Sequence, residues 1–277
     1  MDSLDSLHFL TYIYRIPRYF IRKSKEFLRT AFWRRNLLPD YRKNKDKLKK
    51  LKDLHKGEPC VLIGGGPSLN KMDLDIFSDY VTIACNAFYL KHNDISFIPN
   101  YYTVEDPLPA NDNKDEINSL QDTVKIIPYD LKNVIDNEDD TIYVNFRRSA
   151  INYRSENFPK YSHDFLNESF WGGTVMYFNI QLAEYLGCNP IYLVGVDLAY
   201  SVPDSVKRVG AVLTSTEDDG NHFDPRYFGK GKRWHFPVIE RMQAGFDKAY
   251  SELELHGIDL FNAGVDSELK NIPKKKL

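Results

Sequence analysis

From residue 59 onward, apolar residues fall into short unbroken runs separated by turn-forming or charged stretches. The first is Pro59-Cys60-Val61-Leu62-Ile63, and others lie at 81–85, within 95–104, at 123–127 and at 191–195. A weaker run occupies 141–146 and a last one 258–261. Runs of this length, bounded by glycine, proline or asparagine, predict strands buried on both faces. Between them, residues 175–186 and 238–256 carry apolar positions at helical spacing. Strands alternating with helices imply an α/β fold: a Rossmann-like, mostly parallel sheet with helices on both faces.

The chain before residue 56 has a different pattern. Phe9, Leu10, Ile13, Ile16, Phe20, Ile21, Phe27, Leu28, Phe32 and Trp33 recur at near-helical spacing, with arginine and lysine between them. Pro17 starts a new helix or kinks an existing one, and residues 43–56 read as a lysine-rich helical connector. The division expected is a basic amphipathic helical extension over 1–55 and a Rossmann-like domain over 56–277. Charge sharpens that division. Residues 1–58 hold 16 Lys/Arg against 7 Asp/Glu, or +9, whereas the rest holds 21 against 32, or −11. A basic arm with aromatics on its apolar side suits an anionic membrane surface through residues 8–38. The other reading of the same pattern is a helix packed on the body or on an oligomer partner. No nucleic-acid partner is expected.

Gly64-Gly65-Gly66-Pro67-Ser68 closes the first strand, where ligands of parallel sheets bind. Glycines let a backbone approach an anion closely, and Pro67 suits the first position of a helix whose free N–H groups attract phosphate. Neither a Walker sequence nor GxGxxG is present. Asn86 ends the second strand and can read a base or ribose edge, or only form a turn. Glu105-Asp106-Pro107 follows the third strand. Asp73-Leu74-Asp75 has the spelling of a glycosyltransferase metal motif but reads as ordinary helix-start acids, so no metal site is assigned. Arg147-Arg148 can meet an anionic substrate or stand as an exposed pair. His92, His163 and His256 have no partner pattern.

The order GGGPSL after a strand, Asn86 ending the next, Gly172-Gly173-Thr174 opening a helix, and then IYLVGVD resembles a known family. It is the 6-hydroxymethylpterin diphosphokinase MptE-like family, found among surface-polysaccharide genes. The order is also similar to that of small bacterial CMP-sialic acid sialyltransferases and motility accessory factors. Asn221-His222-Phe223, Tyr227-Phe228-Gly229, Trp234 and Phe261-Asn262-Ala263 extend the match to the first group. The resemblance implies that Gly65, Gly66, Ser68 and Asn86 hold the nucleotide, with Gly64 in the same turn; Asp106 can bind ribose hydroxyls, a metal or an acceptor, or only cap the next turn. It implies that Gly172, Gly173 and Thr174 meet a phosphate or sugar carboxylate, and that Asp197 lines the base or ribose pocket; Tyr200, three residues on, can stack on a base, bond a phosphate, or only pack. It further implies a late-loop histidine as general base, for which His222 stands first and His235 second. Arg226, Lys230, Lys232 and Arg233 lie near enough in sequence to balance phosphate charge.

The function expected on this footing is a glycosyltransferase of bacterial surface glycans, with a nucleotide-sugar donor, a CMP-sugar, and a glycan acceptor. Two alternatives stand beside it. One is a Mg²⁺-dependent diphosphokinase moving pyrophosphate from ATP to a pterin-like alcohol, with Glu105, Asp106 and Asp197 on the metal. The other is a non-catalytic nucleotide-binding scaffold at a membrane. Cys60, Cys85 and Cys188 sit in apolar runs without CxxC spacing, which reads as buried thiols in a reducing compartment. With no apolar run approaching the ~20 residues that cross a bilayer, a cytoplasmic or inner-face peripheral location is expected.

Overall fold

The computed structural model describes residues 21–136, 138–148 and 158–277. In chain order the helices are α1 (residues 21–34), α2 (Pro39–Lys49), α3 (Pro107–Asp112), α4 (Lys114–Asn118), α5 (Val175–Leu186) and α6 (Ile239–Leu255). The strands are β1 (Cys60–Ile63), β2 (Val81–Cys85), β3 (Tyr101–Thr103), β4 (Val124–Pro128), β5 (Thr141–Val144), β6 (Phe146–Arg147) and β7 (Ser169–Phe170). They continue with β8 (Ile191–Val194), β9 (Lys207–Val209), β10 (Val212–Thr214), β11 (Arg233–His235) and β12 (Leu260–Asn262).

Seven strands form one sheet in the order β12-β8-β1-β2-β3-β4-β5, and every adjacent pair is parallel. The expected α/β architecture is therefore present. All four residues of β1 are buried, because β1 has strands on both sides and cover on both faces. Cys60 and Leu62 point into a core shared with α5 and α6. Val61 and Ile63 point the other way, against Leu69, Leu74, Phe77 and Phe88 from short 3₁₀ turns. Period-two alternation thus sends successive apolar residues into different cores.

Helix α5 begins and ends where its sequence signals. Thr174 caps it by accepting from the Met176 N–H, and Gly187 terminates it in the left-handed region at φ 85°. Helix α2 starts four residues before the lysine-rich connector expected from residue 43. It covers the outer edge of the sheet. The Asn44 side chain accepts from the Tyr143 N–H at 2.7 Å, and Lys47 Nζ donates to the Thr141 carbonyl at 3.0 Å. Backbone groups that would otherwise leave β5 an open edge are satisfied in this way. Residues 21–55 accordingly pack on the sheet, with Trp33 and Tyr41 in a core with Tyr129 and Tyr143. The part of the arm before residue 21 lies outside the described residues.

Two local differences from the pattern have plain causes. The run at 95–104 yields only the three-residue β3, because Ile95 and Phe97 pack under the second core instead of pairing. The small antiparallel sheet β11-β10-β9 has no apolar alternation to announce it, since all three residues of β9 are exposed.

Candidate functional site at the switch point of the sheet

The chain leaves β1 toward β2 on one side, and β8 later returns on the other. Loops diverge at such a point, and the carboxyl ends of the strands face a crevice. A cavity of about 470 Å³ lies there. Gly64, Gly65, Gly66, Asn86, Asp106, Gly173, Thr174, Asp197, Tyr200, His222 and His235 all line it, so residues far apart in sequence converge. Ser68 and Gly172 are not among the lining residues.

The glycine turn is built differently from the anion cradle that its spelling suggests. The Gly64 N–H donates to the Val194 carbonyl and the Gly66 N–H to the Gly195 carbonyl, each at 2.8 Å. Asp197 accepts from the Ser68 N–H at 2.9 Å and from the Ser68 hydroxyl at 2.5 Å. Pro67–Lys71 is a single 3₁₀ segment of five residues. The Gly64, Gly66 and Ser68 N–H groups are therefore bonded to Val194, Gly195 and Asp197. Ser68 and Asp197 hold each other, which sets the Asp197 carboxylate against this turn and on the cavity wall.

Each glycine is required by a protein neighbour. A Cβ on Gly64 would stand 2.4 Å from the Gly195 carbonyl oxygen, and one on Gly66 would stand 2.4 Å from the Asp197 carboxylate. On Gly65 it would meet the Tyr227 hydroxyl at 2.7 Å and His222 Cδ2 at 2.9 Å. The triplet lets β8 and the 215–238 segment close onto β1.

That segment supplies His222. Its Nδ1 lies 2.7 Å from Asp219 Oδ2, and its ring stacks on Tyr227 with centroids 4.0 Å apart and planes 8° from parallel. Asp219 also accepts from the backbone N–H groups of Asn221 and Phe228. Burial pushes the Asp219 carboxyl up, but the hydrogen bonds from His222 and these N–H groups outweigh it and hold it below its ordinary value. An ionised Asp219 assigns the ring proton to Nδ1. Nε2 is then the basic nitrogen, on the ring edge beside the glycine turn.

His235 differs. The Asp106 carboxylate, 2.8 Å from its Nδ1, raises its pKa against the opposing effect of burial. A histidine held toward its charged form suits an anion better than it suits proton abstraction. Asp106 also caps α3 through the Leu108 N–H.

Facing the glycine turn across the cavity is the start of α5. Gly173 takes φ +95°, a left-handed conformation that glycine adopts without strain. Gly172 has no room for a side chain, since its Cβ would lie 2.3 Å from the Tyr177 ring. This twelve-residue helix directs its positive end at the cavity, with Arg241 beside it stacked over Trp171 at 4.7 Å. Arg22 and Arg148 also line the space. Sequence reasoning missed Arg22 and Arg241, which no spacing ties to the motifs, and Trp171, which directly precedes Gly172-Gly173-Thr174 without being singled out.

Asn86 sits in the left-handed region at φ 51°. Its side-chain oxygen is buried without a hydrogen-bond partner, which leaves an acceptor for a ligand donor. Glu105 is also buried, and Arg148 Nη1 lies 3.2 Å from it. Burial pushes the Glu105 carboxyl up to about 7, although Arg148 opposes the shift. The folded state then holds this proton from its ordinary value of 4.5 up to about 7. Stability contributed by the protonated acid is complete below the unfolded pKa and is lost as pH rises through the folded one. Thermal melts between pH 4 and pH 8 are expected to show a decline that Glu105→Gln flattens. An identical pH dependence in the variant would contradict the assignment.

The three carboxylates offered for Mg²⁺ are each committed elsewhere: Glu105 to Arg148, Asp106 to His235, and Asp197 to Ser68. They do not form a metal-sized group. Among the described residues the one group of that size is His163, Glu184 and His256, outside the cavity lining. Asp73 and Asp75 have structural roles, Asp73 accepting from the Asp75 N–H and Asp75 from the Ser96 N–H. Arg226 pairs with Asp224 and Arg233 with Asp112, while Lys232 donates to the Asp112 carbonyl; none of the three lines the cavity. No helix among the described residues is long and apolar enough to cross a membrane.

A parallel sheet with a cavity of mixed polar and apolar lining at its switch point defines a Rossmann-like α/β protein with a candidate site at the strand ends. Residues 35–203 match the family described as 6-hydroxymethylpterin diphosphokinase MptE-like, and the chain belongs to that family. Comparison with curated proteins gives no match. Among solved structures the chain is similar to the MAf glycosyltransferase from Magnetospirillum magneticum AMB-1, at 15% identity and a TM-score of 0.47. That likeness covers 84% of this chain and 38% of the other.

Proposed function

We propose that the chain is a glycosyltransferase that moves a sugar from a CMP-linked donor to a hydroxyl of a surface-glycan acceptor, with no metal required. The observation that carries this reading is the Asp219–His222 pair set against the glycine turn, beside a cavity whose wall includes Arg22, Arg148 and Arg241. His222 Nε2 takes the proton of the acceptor hydroxyl. The acceptor oxygen bonds to the anomeric carbon, the bond from that carbon to the phosphate oxygen breaks, and CMP leaves with the bonding pair. The start of α5 and Arg241 stabilise the charge that collects on the phosphate. Asn86 Oδ1 accepts from the base or a ribose hydroxyl.

The family description suggests a second reading, pyrophosphate transfer from ATP. The commitment of Glu105, Asp106 and Asp197 to other partners favours the first, because a Mg²⁺-triphosphate needs free carboxylates. A thermal-shift panel of CMP, UDP, GDP and ATP, each with Mg²⁺ or EDTA, separates them. A ligand at a hundred times its dissociation constant adds about 2.7 kcal/mol to apparent stability. Stabilisation by CMP that survives EDTA is the expected result. ATP stabilisation that requires Mg²⁺, with no response to CMP, overturns it. Transfer to an acceptor separates either enzyme from a scaffold that binds without turnover.

A further inference from the structure

Helix α1 is turned the opposite way from an ordinary surface helix. The side toward the body is largely polar: Glu26 accepts from the Arg148 N–H, Arg29 donates to Asn145, and Thr30 Oγ1 accepts from Asn145. Trp33 is its one large apolar residue buried in the body, with the indole N–H donating to the Leu166 carbonyl. Ile21, Phe27, Leu28 and Phe32 face outward, and Leu37 and Leu38 continue them in the turn to α2. Phe27 is 67% exposed and even Phe32 is 40% exposed. An amphipathic helix normally buries that stripe, and a contiguous exposed apolar patch marks an interaction surface.

The charge around the patch selects the partner. Arg22, Lys23, Lys25 and Arg35 are exposed among the apolar residues, within a stretch where 16 basic residues face 7 acidic ones. A second copy of the chain would set this basic face against itself, since a two-fold contact is self-complementary. Basic and apolar character together fit the headgroup region of an anionic bilayer.

We propose that the outward face of α1, with the turn into α2, docks on an anionic phospholipid surface. The proposal is independent of which group the chain transfers. Docking also bears on the cavity, because Arg22 lies on its wall and Glu26 holds the Arg148 N–H. Arg148 in turn pairs with Glu105 inside. A chain docked through this helix holds its cavity close to the headgroups, within reach of an acceptor carried by lipid.

The test uses the full chain with vesicles of phosphatidylcholine alone or mixed with phosphatidylglycerol. Sedimentation with the anionic vesicles only, weakened by salt, is expected. The double change Phe27→Asp and Leu28→Asp lowers that partition about tenfold or more, without lowering the melting temperature because both side chains are exposed. Should the double variant melt early, Phe27→Trp keeps the apolar character and reports directly. Its added indole emission shifts to the blue on anionic vesicles and stays unchanged on neutral ones. Absence of binding, equal binding to both vesicle types, or wild-type partition of a folded double variant overturns the proposal. So does a dimer that the double variant dissociates while vesicles have no effect.

Discussion

Replacing His222 by alanine is expected to lower turnover by about 10²–10⁴-fold, the usual contribution of a positioned general base. Binding of the nucleotide should stay near wild type. The ring's Nδ1 is engaged by Asp219, so the change removes the only nitrogen of this ring able to take a proton from an acceptor. His222 also stacks on Tyr227 and lies against Gly65. For that reason His222→Gln, which keeps more of the volume, should accompany the alanine variant. Asp219→Asn tests the same pair from the other side. An asparagine amide can donate to Nδ1, which moves the ring proton to Nε2 and removes the base without removing the ring. Single-turnover rates with a CMP-sugar and an acceptor, together with CMP thermal shifts, read both quantities. Retained turnover in a folded His222→Ala variant would falsify the assignment and shift attention to His235.

Gly64→Ala should give the largest stability loss of any single methyl addition in the turn. Its Cβ would meet a backbone oxygen, that of Gly195, at 2.4 Å, with the Val194 carbonyl at 3.3 Å. Neither atom belongs to a flexible side chain, so β1 and β8 must separate where the sheet holds both cores. A loss of about 3 kcal/mol or more is expected for such overpacking. At about 2–4 °C per kcal/mol for a domain of this size, the melting temperature falls by roughly 10 °C. Gly220→Ala is the control, since nothing lies within 4 Å of its Cβ and its φ is ordinary. Equal melting temperatures for the two variants would show that the strand ends can part cheaply, and the close-approach account of the triplet would then be wrong.

The glycine turn shows where legibility stops. GGGPS after an apolar run locates a strand end and a crevice beside it, and the strand end and a cavity are there. Its chemical role is not readable from spelling, because a glycine that admits an anion and one that admits a neighbouring carbonyl look alike. Only the nearness of Gly195, Asp197, Tyr227 and His222 distinguishes them. Asn86, Gly173 and Thr174 reach the same cavity, since strand ends and helix starts face one side of a parallel sheet. Gly172 itself serves packing against Tyr177. Asp219, three residues before His222, carries no mark in the sequence that singles it out. Its i, i+3 spacing in a loop becomes a pairing only when the Asn221 and Phe228 N–H groups orient the carboxylate. Glu105 was offered for a metal, but burial beside Arg148 makes it a proton holder.

By itself the sequence determined the strands at 60–63, 81–85 and 191–194 and the helices α5 and α6. Their periodicity, and the Thr174 and Gly187 ends of α5, are local, carried by residues close together along the chain. It also determined the basic apolar stripe of the N-terminal arm, but not which way the stripe faces. That orientation was decided by tertiary structure, because Asn145, Arg148 and Leu166 present polar groups that bond the polar side of α1 and leave its apolar side outward. The order of the strands was likewise decided there. Placing β8 beside β1 brings Gly195 and Asp197 against the turn, and the distances between chain segments that build a site are absent from any local pattern.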